Sequence, residues 1–464
     1  RLSGVYITQG TGKPGTSASF SVRAKGTPNN SDPLYVIDGY IYPTEVKVGS
    51  TYTNLGAEAF NNLDPSVVES ISILKDASAA VYGARAANGV ILVTTKKGKL
   101  GAPKISYNGT FGITDEVSRP KMLNAYEYGK LWNAVRMADP TETSIDPLRA
   151  IFQQDELNAM KSLHYDLLDK YWESALTQQH SVNLSGATEK ASYFAGISYF
   201  DQDGNLGKLD YNRWNYRAGV DVKISKWIKA NVQVSGDYGK KNTPLNQVGG
   251  SSAEKDYNTL LTHPYYIPES VNGYAIPAYG VSNSQKDQSQ GYNYGVLQNN
   301  GDYKKNMNSN INIMGSINYD FGWSNILKGL KLSFSYSKSI NNDKGNEYGT
   351  KYTLYQMTNR YGSGSHLYTP VTGSEDDSYL AASNFVGTTT SNGNYLERSM
   401  TRTDNYQMNF TAQYARDFGQ HHVQALFSVE KSEAESEYLM GKVNEPYEFT
   451  TGQSNSATGD KNTV

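Results

Sequence analysis

The chain has 464 residues, of which 19% are charged, with a formal net charge of -2 and no cysteine. The length allows a sizeable core, whereas the balanced charge argues against nucleic acid as a partner. The lack of cysteine excludes disulfides, thiol catalysis and cysteine-ligated metals, and the six scattered histidines show no metal-ligand spacing. No run of about 18 apolar residues occurs, which excludes membrane-spanning helices but not membrane-spanning strands.

Residues 1–103 are predicted to form a small α/β domain. Pro33–Gly39 (PLYVIDG) is an apolar run closed by Asp-Gly, which predicts a strand and a turn. Glu69–Lys75 alternates between apolar and polar residues, and Val90–Thr95 is a continuous β-branched run, so both are predicted strands. The domain is the size of one folding unit.

This first domain offers no catalytic centre. Asp38 is expected in a turn, and Asp76 is expected to cap a short helix, Ala77–Tyr82, that ends at Gly83. No nucleophile lies near a base, and no Gly-Lys-Ser/Thr follows the glycines to make a phosphate loop. We therefore predict a scaffold or a stopper, with no catalytic residue and no metal site.

From residue 104 the sequence alternates with a period of two. Asn212–Ile224 places Trp214, Tyr216 and Val220 on one face and Arg213, Asn215 and Arg217 on the other. The alternation predicts nine antiparallel strands, at residues 104–113, 179–187, 191–201, 211–225, 227–240, 306–321, 329–341, 403–417 and 421–432.

Strand length and connection length together favour a membrane barrel over a soluble sandwich. Several predicted strands exceed the five or six residues typical of soluble sheets and match the roughly 9–11 needed to cross a bilayer. Short turns alternate strictly with long connections, at 114–178, 202–210, 241–305 and 342–402. Short periplasmic turns and long outer loops are typical of outer-membrane barrels.

The N-terminal motifs resemble a known family. PLYVIDG, followed by LDPSVVESISILKDASAAVYGARAANGVILVTTKKG, is similar to the plug of SusC/RagA-type TonB-dependent transporters of Bacteroidetes outer membranes. QQHSVNLSGATEKASYFAGISYFDQDGNL and NYRAGVDVKISKWIKANVQVSG resemble the first barrel strands of that family. The resemblance assigns the plug motif to Asp38, Gly39, Lys75, Asp76, Tyr82, Gly83, Arg85, Asn88 and Gly89.

The resemblance implies a plugged barrel of 22 strands, a SusD-like surface lipoprotein as a lid, and energy from the TonB complex. On that expectation, residues 1–103 are the plug and residues 104–464 are the N-terminal part of the barrel. Nine strands are fewer than 22, so we expect the chain to be an interior piece of a longer protein. The signal peptide and TonB-contacting segment would then lie upstream, and the remaining strands downstream.

The expected function is TonB-dependent import of an oligosaccharide across the outer membrane of a Gram-negative, Bacteroidetes-like cell, without enzymatic activity or a cofactor. Aromatic faces beside amides suit sugar rings. The connection 241–305 carries seven candidate substrate-binding tyrosines: Tyr257, Tyr265, Tyr266, Tyr274, Tyr279, Tyr292 and Tyr294. The competing interpretation is that these tyrosines only coat a long loop.

Three alternatives remain open at this stage. Oligopeptide import by the same mechanism fits the family equally well. A passive porin shares the barrel but has no use for a 100-residue plug. A soluble carbohydrate-active enzyme explains the tyrosine content, but the strands carry Asn and Ser where paired catalytic carboxylates would be expected.

Overall fold

A computed structural model describes residues 5–8, 12–22, 32–43, 46–48, 51–75, 78–138, 150–245, 253–278, 291–371, 376–389, 394–446 and 460–463. Within these ranges the chain forms a small domain, which we call the plug (residues 5–95), and a large curved sheet, which we call the wall. None of the described helices is long and apolar enough to cross a membrane.

The plug is built around a four-stranded sheet in the order β4-β3-β8-β7. Its central strands are parallel, as expected for two runs of apolar residues that are buried on both faces. The plug strands are β1 (Val5–Thr8), β2 (Ser19–Val22), β3 (Leu34–Ile37), β4 (Tyr40–Ile41), β5 (Val46–Val48), β6 (Thr51–Thr53), β7 (Val68–Leu74) and β8 (Val90–Thr95).

Helix α1 (Leu55–Asn62) packs on this sheet. It begins where the Asn54 side chain accepts a hydrogen bond from the Ala57 amide. Gly56 faces the Tyr35 side chain, where an added Cβ would lie 2.9 Å from Tyr35 Cβ. The missing side chain therefore lets the helix lie close against β3.

The wall is a ten-stranded antiparallel sheet in the order β22-β21-β20-β17-β16-β13-β12-β11-β10-β9. Among the described residues its two edge strands, β9 and β22, do not pair with each other, so this sheet does not close. Its strands are β9 (Gly101–Thr114), β10 (Ala175–Ala187), β11 (Ala191–Asp203), β12 (Asp210–Lys223), β13 (Ile228–Thr243), β16 (Tyr303–Asp320), β17 (Leu330–Gly349), β20 (Tyr395–Phe418), β21 (His421–Asn444) and β22 (Asp460–Thr463).

The wall has two different rims. The turn rim holds the short connections at residues 188–190, 224–227 and 419–420, and the loop rim holds the long connections 115–174, 244–302 and 350–394. The three long connections contain helices α2 (Ala125–Ala138), α3 (Gln154–Met160), α4 (Leu167–Tyr171), α5 (Ala253–Leu261) and α6 (Tyr294–Asn299), with strands β14 (Ser270–Val271), β15 (Tyr274–Ala275), β18 (Thr353–Met357) and β19 (Phe385–Thr389).

The long connections pack together into one layer with its own apolar core. Phe152, Met160, Ile276, Tyr361 and Leu367 are buried in this core, although they come from all three connections. We call this layer the cap. It lies at the loop rim because each of its segments leaves from and returns to that rim.

Nine long strands form where the alternation predicts them, and most extend further toward the loop rim. The last predicted strand, for example, ends at residue 432, whereas β21 continues to Asn444. The predicted helix Ala77–Tyr82 is a 3-10 turn over Ala80–Tyr82 in the described part.

Candidate functional site

The candidate site is a chamber between the plug and the half of the wall nearest the loop rim. It is a cavity of about 720 Å³. The plug contributes the residues around Gly15 and the exposed side of α1, including Glu58 and Asn61. The wall contributes residues of β10 to β20, which include Gln179, Phe200, Gln202, Tyr211, Arg213, Lys241, Asn306, Asn308, Asp343, Lys344, Ser399 and Thr401.

Strand periodicity explains why polar side chains point into this chamber. Arg213 pairs with Gly239 across β12 and β13, and Asn308 pairs with Asp343 across β16 and β17. Residues paired across neighbouring strands share one face of a sheet, so the polar sets of all these strands face the plug. Amide and hydroxyl side chains are therefore the commonest kind in the wall lining.

A plug loop is fastened to the wall at the edge of the chamber. The Gly15 amide donates to Gln202 Oε1 at 3.3 Å, and Lys241 Nζ donates to the Gly15 carbonyl at 3.2 Å. Gly15 has a φ of +62°, and an added Cβ would lie 2.7 Å from the Tyr211 ring. Both the conformation and the close approach require glycine here.

Acidic groups dominate the side of the chamber between α1 and β17. Enclosure by protein, with the carboxylates of Asp343 and Asp237 nearby, raises the pKa of Glu58 from 4.5 to about 7. Glu58 nevertheless remains exposed to the chamber. Asp237 is buried and accepts a hydrogen bond from Asn62 Nδ2 at 3.1 Å.

Below the chamber, a buried ion pair joins the plug to the wall. Arg217 Nη2 of β12 lies 2.6 Å from Asp38 Oδ2, and the two side chains are only 10% and 8% exposed. Asp38 also accepts hydrogen bonds from the amide and hydroxyl of Thr95 at 2.9 and 2.7 Å. Asp38 has a φ of +51°, as expected for the turn predicted after β3.

Other plug-to-wall contacts are polar and spread over the interface. Arg85 donates to both carboxylate oxygens of Glu430 at 2.7 and 2.8 Å. Asn312 Nδ2 donates to the Tyr42 hydroxyl at 2.8 Å, and Asn183 Nδ2 donates to Ser66 Oγ at 3.1 Å. An exception is Met314 of β16, which joins the apolar core of the plug.

The remaining plug-motif residues shape turns. Gly39, Gly83 and Gly89 all have positive φ, and a Cβ at Gly89 would lie 2.7 Å from Val22 Cγ1. Tyr82 packs beside Leu34 and Val90, Lys75 makes backbone contacts with Ser78, and Asn88 lies in the turn before β8. Asp76 lies outside the described residues.

The six described tyrosines among the predicted substrate-binding residues lie in the cap, and none of them lines the chamber. Tyr292 and Tyr294 are buried, and Tyr266 and Tyr274 pack against the cap core. Tyr257 donates to Glu116 Oε2 at 3.3 Å and Tyr265 to Asp166 Oδ2 at 3.0 Å. Tyr279 lies outside the described residues. Their role in binding stays a prediction.

Buried histidine and tyrosine side chains stabilise the cap. Burial lowers the pKa of His263, whose Nε2 donates to the Ile267 carbonyl at 2.8 Å and whose Nδ1 lies 3.1 Å from the Tyr292 hydroxyl. Burial and the hydrogen bond to Asp166 raise the pKa of Tyr265 to about 12. These groups therefore stay neutral near pH 7 and serve the packing of the cap.

Sequence reasoning did not single out the chamber residues. The alternation of the wall strands does carry a signal for the chamber residues of the wall, because it places Arg213 on the polar face of a predicted strand. Glu58 had no such signal, since α1 was not predicted and its position depends on packing against β3. In the described part of the chain, no group of three or more His, Cys, Asp or Glu residues could hold a metal ion.

Comparison with known proteins agrees with this architecture. Residues 1–90 match the family of TonB-dependent receptor plug domains. The chain is 32% identical over 282 residues to the TonB-dependent receptor P26 of Formosa agariphila, which covers 59% of this chain and 26% of the relative. It is 31% identical over 232 residues to the TonB-dependent receptor SusC of Bacteroides thetaiotaomicron, which covers 48% of this chain and 20% of SusC.

A solved structure with the same fold is that of the RagAB peptide importer. It superposes with a TM-score of 0.70 at 20% identity, covering 100% of this chain and 49% of the matched chain. At that identity the match establishes the fold alone. The matched parts span about a quarter of the length of the curated relatives and about half of the solved chain.

Proposed function

We propose that this protein, which belongs to the SusC/RagA type of TonB-dependent receptors and is located in the outer membrane, imports a glycan actively. In this proposal the oligosaccharide enters through the cap, is held in the chamber, and passes when TonB displaces the plug. Residues 1–103 serve as the plug and residues 104–464 supply wall strands. A SusD-like lipoprotein covers the loop rim.

The chamber carries the proposal. Its lining combines neutral amides and hydroxyls, such as Gln179, Asn308 and Thr401, with the aromatic side chains of Phe200 and Tyr211. Amides bind sugar hydroxyls as donors and acceptors, and aromatic rings cover apolar sugar faces. The volume of about 720 Å³ falls within the roughly 300–1,000 Å³ of small-ligand sites.

The plug contacts favour an active transporter over a porin. The plug occupies the concave side of the wall, and its contacts are hydrogen bonds and ion pairs that an external force can break one after another. A passive channel gains nothing from such a plug. Family evidence also points to transport and away from catalysis.

The test is uptake of a fluorescent oligosaccharide by cells that express the full-length gene. Uptake should stop when the TonB complex is deleted or the proton gradient is collapsed. Uptake that continues under both conditions would contradict active import and would favour a porin.

A cross-link tests whether the plug must move. Because this chain has no cysteine, Ser66→Cys and Asn183→Cys can be joined specifically by a short bifunctional thiol reagent with a reducible spacer. We expect the cross-link to abolish uptake and its reduction to restore uptake, while each single variant treated in the same way stays active. Uptake through the cross-linked double variant would mean that the plug stays in place.

A second proposal concerns oligopeptides, because the matched solved structure is described as a peptide importer. Competition decides between the two cargoes: an oligosaccharide mixture should block uptake of the labelled glycan, and a peptide digest should not.

For the predicted tyrosine contacts, Tyr265→Ala and Tyr266→Ala should reduce glycan uptake if the cap binds sugar, and leave it unchanged if the tyrosines only support packing.

A further inference from the structure

Two carboxyl groups that face the chamber form no ion pair with the described part of the chain. Glu58 projects from α1 and Asp343 from β17, and both are exposed to the chamber. Their charges interact, because Asp343 is among the groups that make ionisation of Glu58 unfavourable. Among the described residues, neither carboxylate takes part in an ion pair.

Three basic residues line the chamber. Lys344 follows Asp343 on β17 and pairs with Met307 and Met400, so its side chain lies on the opposite face of the sheet. The other two, Arg213 and Lys241, already have other partners. Arg213 Nη1 donates to Asn62 Oδ1 at 2.8 Å, and its charge is close enough to Asp237 to stabilise that buried carboxylate. Lys241 Nζ donates to the Gly15 carbonyl. On the side of the chamber formed by α1 and β17, the carboxyl groups of Glu58 and Asp343 are therefore left without a paired cation among the described residues.

A second, independent feature points to a ligand with oxygen acceptors. Arg213 lines the chamber and is only 9% exposed, yet its Nε has no hydrogen-bond acceptor within the part of the chain that the structure describes. A buried donor without a partner destabilises the protein, so a ligand that supplies an acceptor to it is favoured.

We propose that the chamber selects ligands that carry a protonated primary amine, which Glu58 and Asp343 bind, next to oxygen acceptors that face Arg213. This inference rests on the proposed transport function and narrows its substrate class. Two kinds of oligomer carry that chemistry, namely amino-sugar oligosaccharides and peptides with lysine side chains. A neutral glycan would leave both carboxylates without a counter-charge.

The test uses the purified full-length protein in detergent and two matched pairs of probes. One pair is a glucosamine tetrasaccharide and its N-acetylated form, and the other is an N-terminally acetylated lysine tetrapeptide and its Nε-acetylated form. Calorimetry should give a Kd about tenfold lower for the amine form of at least one pair, as two partly enclosed ion pairs of roughly 0.7 kcal/mol each would produce.

Variants show which residues are responsible. The double variant Glu58→Gln, Asp343→Asn should lose the preference for the amine, whereas Glu189→Gln, at an exposed turn on the opposite rim, should keep it. The pair that shows the preference identifies the cargo as amino sugar or peptide. The comparison of amine and acetylated probes on the unmodified protein remains decisive even if the double variant fails to fold.

The inference is overturned if amine and acetylated probes bind equally, if neither amine probe binds, or if the preference survives in a folded double variant. Import of neutral oligosaccharides, measured separately in cells, distinguishes this failure from a failure of the proposed function. A protein that imports neutral glycans and ignores amines would retain the transport proposal and refute the selectivity.

Discussion

At the scale of single residues, the attachment of the plug depends on a few buried charges. Asp38 and Arg217 are almost inaccessible to water, so each needs the other to compensate for lost hydration. Asp38→Asn keeps the side-chain shape and one of the two acceptors for Thr95 but leaves Arg217 without the counter-charge of Asp38. We expect it to lower the free energy of unfolding by about 3 kcal/mol, measured as a lower Tm of the full-length protein.

The control for this change is an exposed carboxylate that is hydrogen-bonded to a histidine. Asp417 pairs with His422 at the turn rim, where the side chains are 77% and 62% exposed. Because exposed ion pairs contribute roughly 0–1 kcal/mol, Asp417→Asn should leave the Tm nearly unchanged. Equal effects of the two substitutions would mean that the Asp38–Arg217 pair does not hold the plug.

Glu58 should give the protein a measurable pH dependence. Its pKa is about 7 in the folded protein against an ordinary value of 4.5. Between these two values the folded protein keeps a proton that the unfolded chain releases, so the contribution of Glu58 to stability falls as the pH rises from 4.5 to about 7.

Glu58→Gln removes this titration. The Tm of the unmodified protein should therefore fall more steeply from pH 5 to pH 8 than that of the variant, while Glu189→Gln should follow the unmodified protein. Parallel curves for the unmodified protein and Glu58→Gln would show that Glu58 titrates at its ordinary pKa.

Residue types alone could predict part of the site. The sequence indicates Asp38 in a turn and Arg213 and Arg217 on a polar strand face, because turn chemistry and alternation act locally. It does not pair Asp38 with Arg217, which lie 179 positions apart in the chain. Such pairing depends on how the plug is seated, and no local pattern encodes that.

At the scale of elements, the cap is held by a turn that wraps a helix end. Glu156, in the first turn of α3, is fully buried and accepts hydrogen bonds from the amide and Nδ1 of His366, both at 2.9 Å. The amide and hydroxyl of Ser363 donate to Asp155 at 2.9 and 2.8 Å. Two connections that are distant in sequence are thereby joined.

Gly362→Ala should break this junction. Gly362 has a φ of +91°, and an added Cβ would overlap Glu156 Cγ, so both strain and a clash oppose the substitution. We expect faster hydrogen exchange in residues 154–160, because the turn can no longer cover the start of α3. Gly419→Ala provides the control, since Gly419 has a φ of +62° but nothing within 4 Å of an added Cβ.

The control should cost only the conformational strain of about 1–2 kcal/mol and leave the exchange of α3 unchanged. If both variants change α3 equally, the turn does not support the cap. If neither does, the contact between Gly362 and Glu156 adapts without loss.

Elements of the wall were more predictable than those of the cap. Strict alternation over nine or more residues is kept in any sheet whose two faces lie in different environments, so the wall strands form where expected. The cap helices are short, and α3 begins at a capping box formed by Gln153 and Glu156. Their ends depend on contacts among connections far apart in sequence, which no local pattern encodes.

At the scale of the whole molecule, the wall separates two environments. Its concave face carries buried Ser, Asn and Gln side chains against the plug, such as Ser339, Asn405 and Gln407. Its convex face exposes rows of apolar residues along the strand pairs. One such row joins Val220, Val232, Gly315, Tyr336 and Met408, and its four side-chain-bearing members are 38–56% exposed.

This arrangement fits a membrane sheet whose lipid-facing residues need no protein partner. This row lies between the turn rim and the row in which Trp214 pairs with Tyr238, so it occupies the middle of the apolar band. A charge placed there must leave water for hydrocarbon. Val232→Lys should therefore destabilise the folded protein in lipid by about 2–4 kcal/mol.

The matched control is Ser316→Lys, which places the same ammonium on the concave face of the neighbouring strand, beside Asn231 and Ser335. Denaturant titration of the full-length protein in phospholipid vesicles should show a lower midpoint for Val232→Lys and a nearly unchanged midpoint for Ser316→Lys. The opposite order would assign lipid to the Asn- and Ser-rich face, and the chamber would then lie outside the barrel.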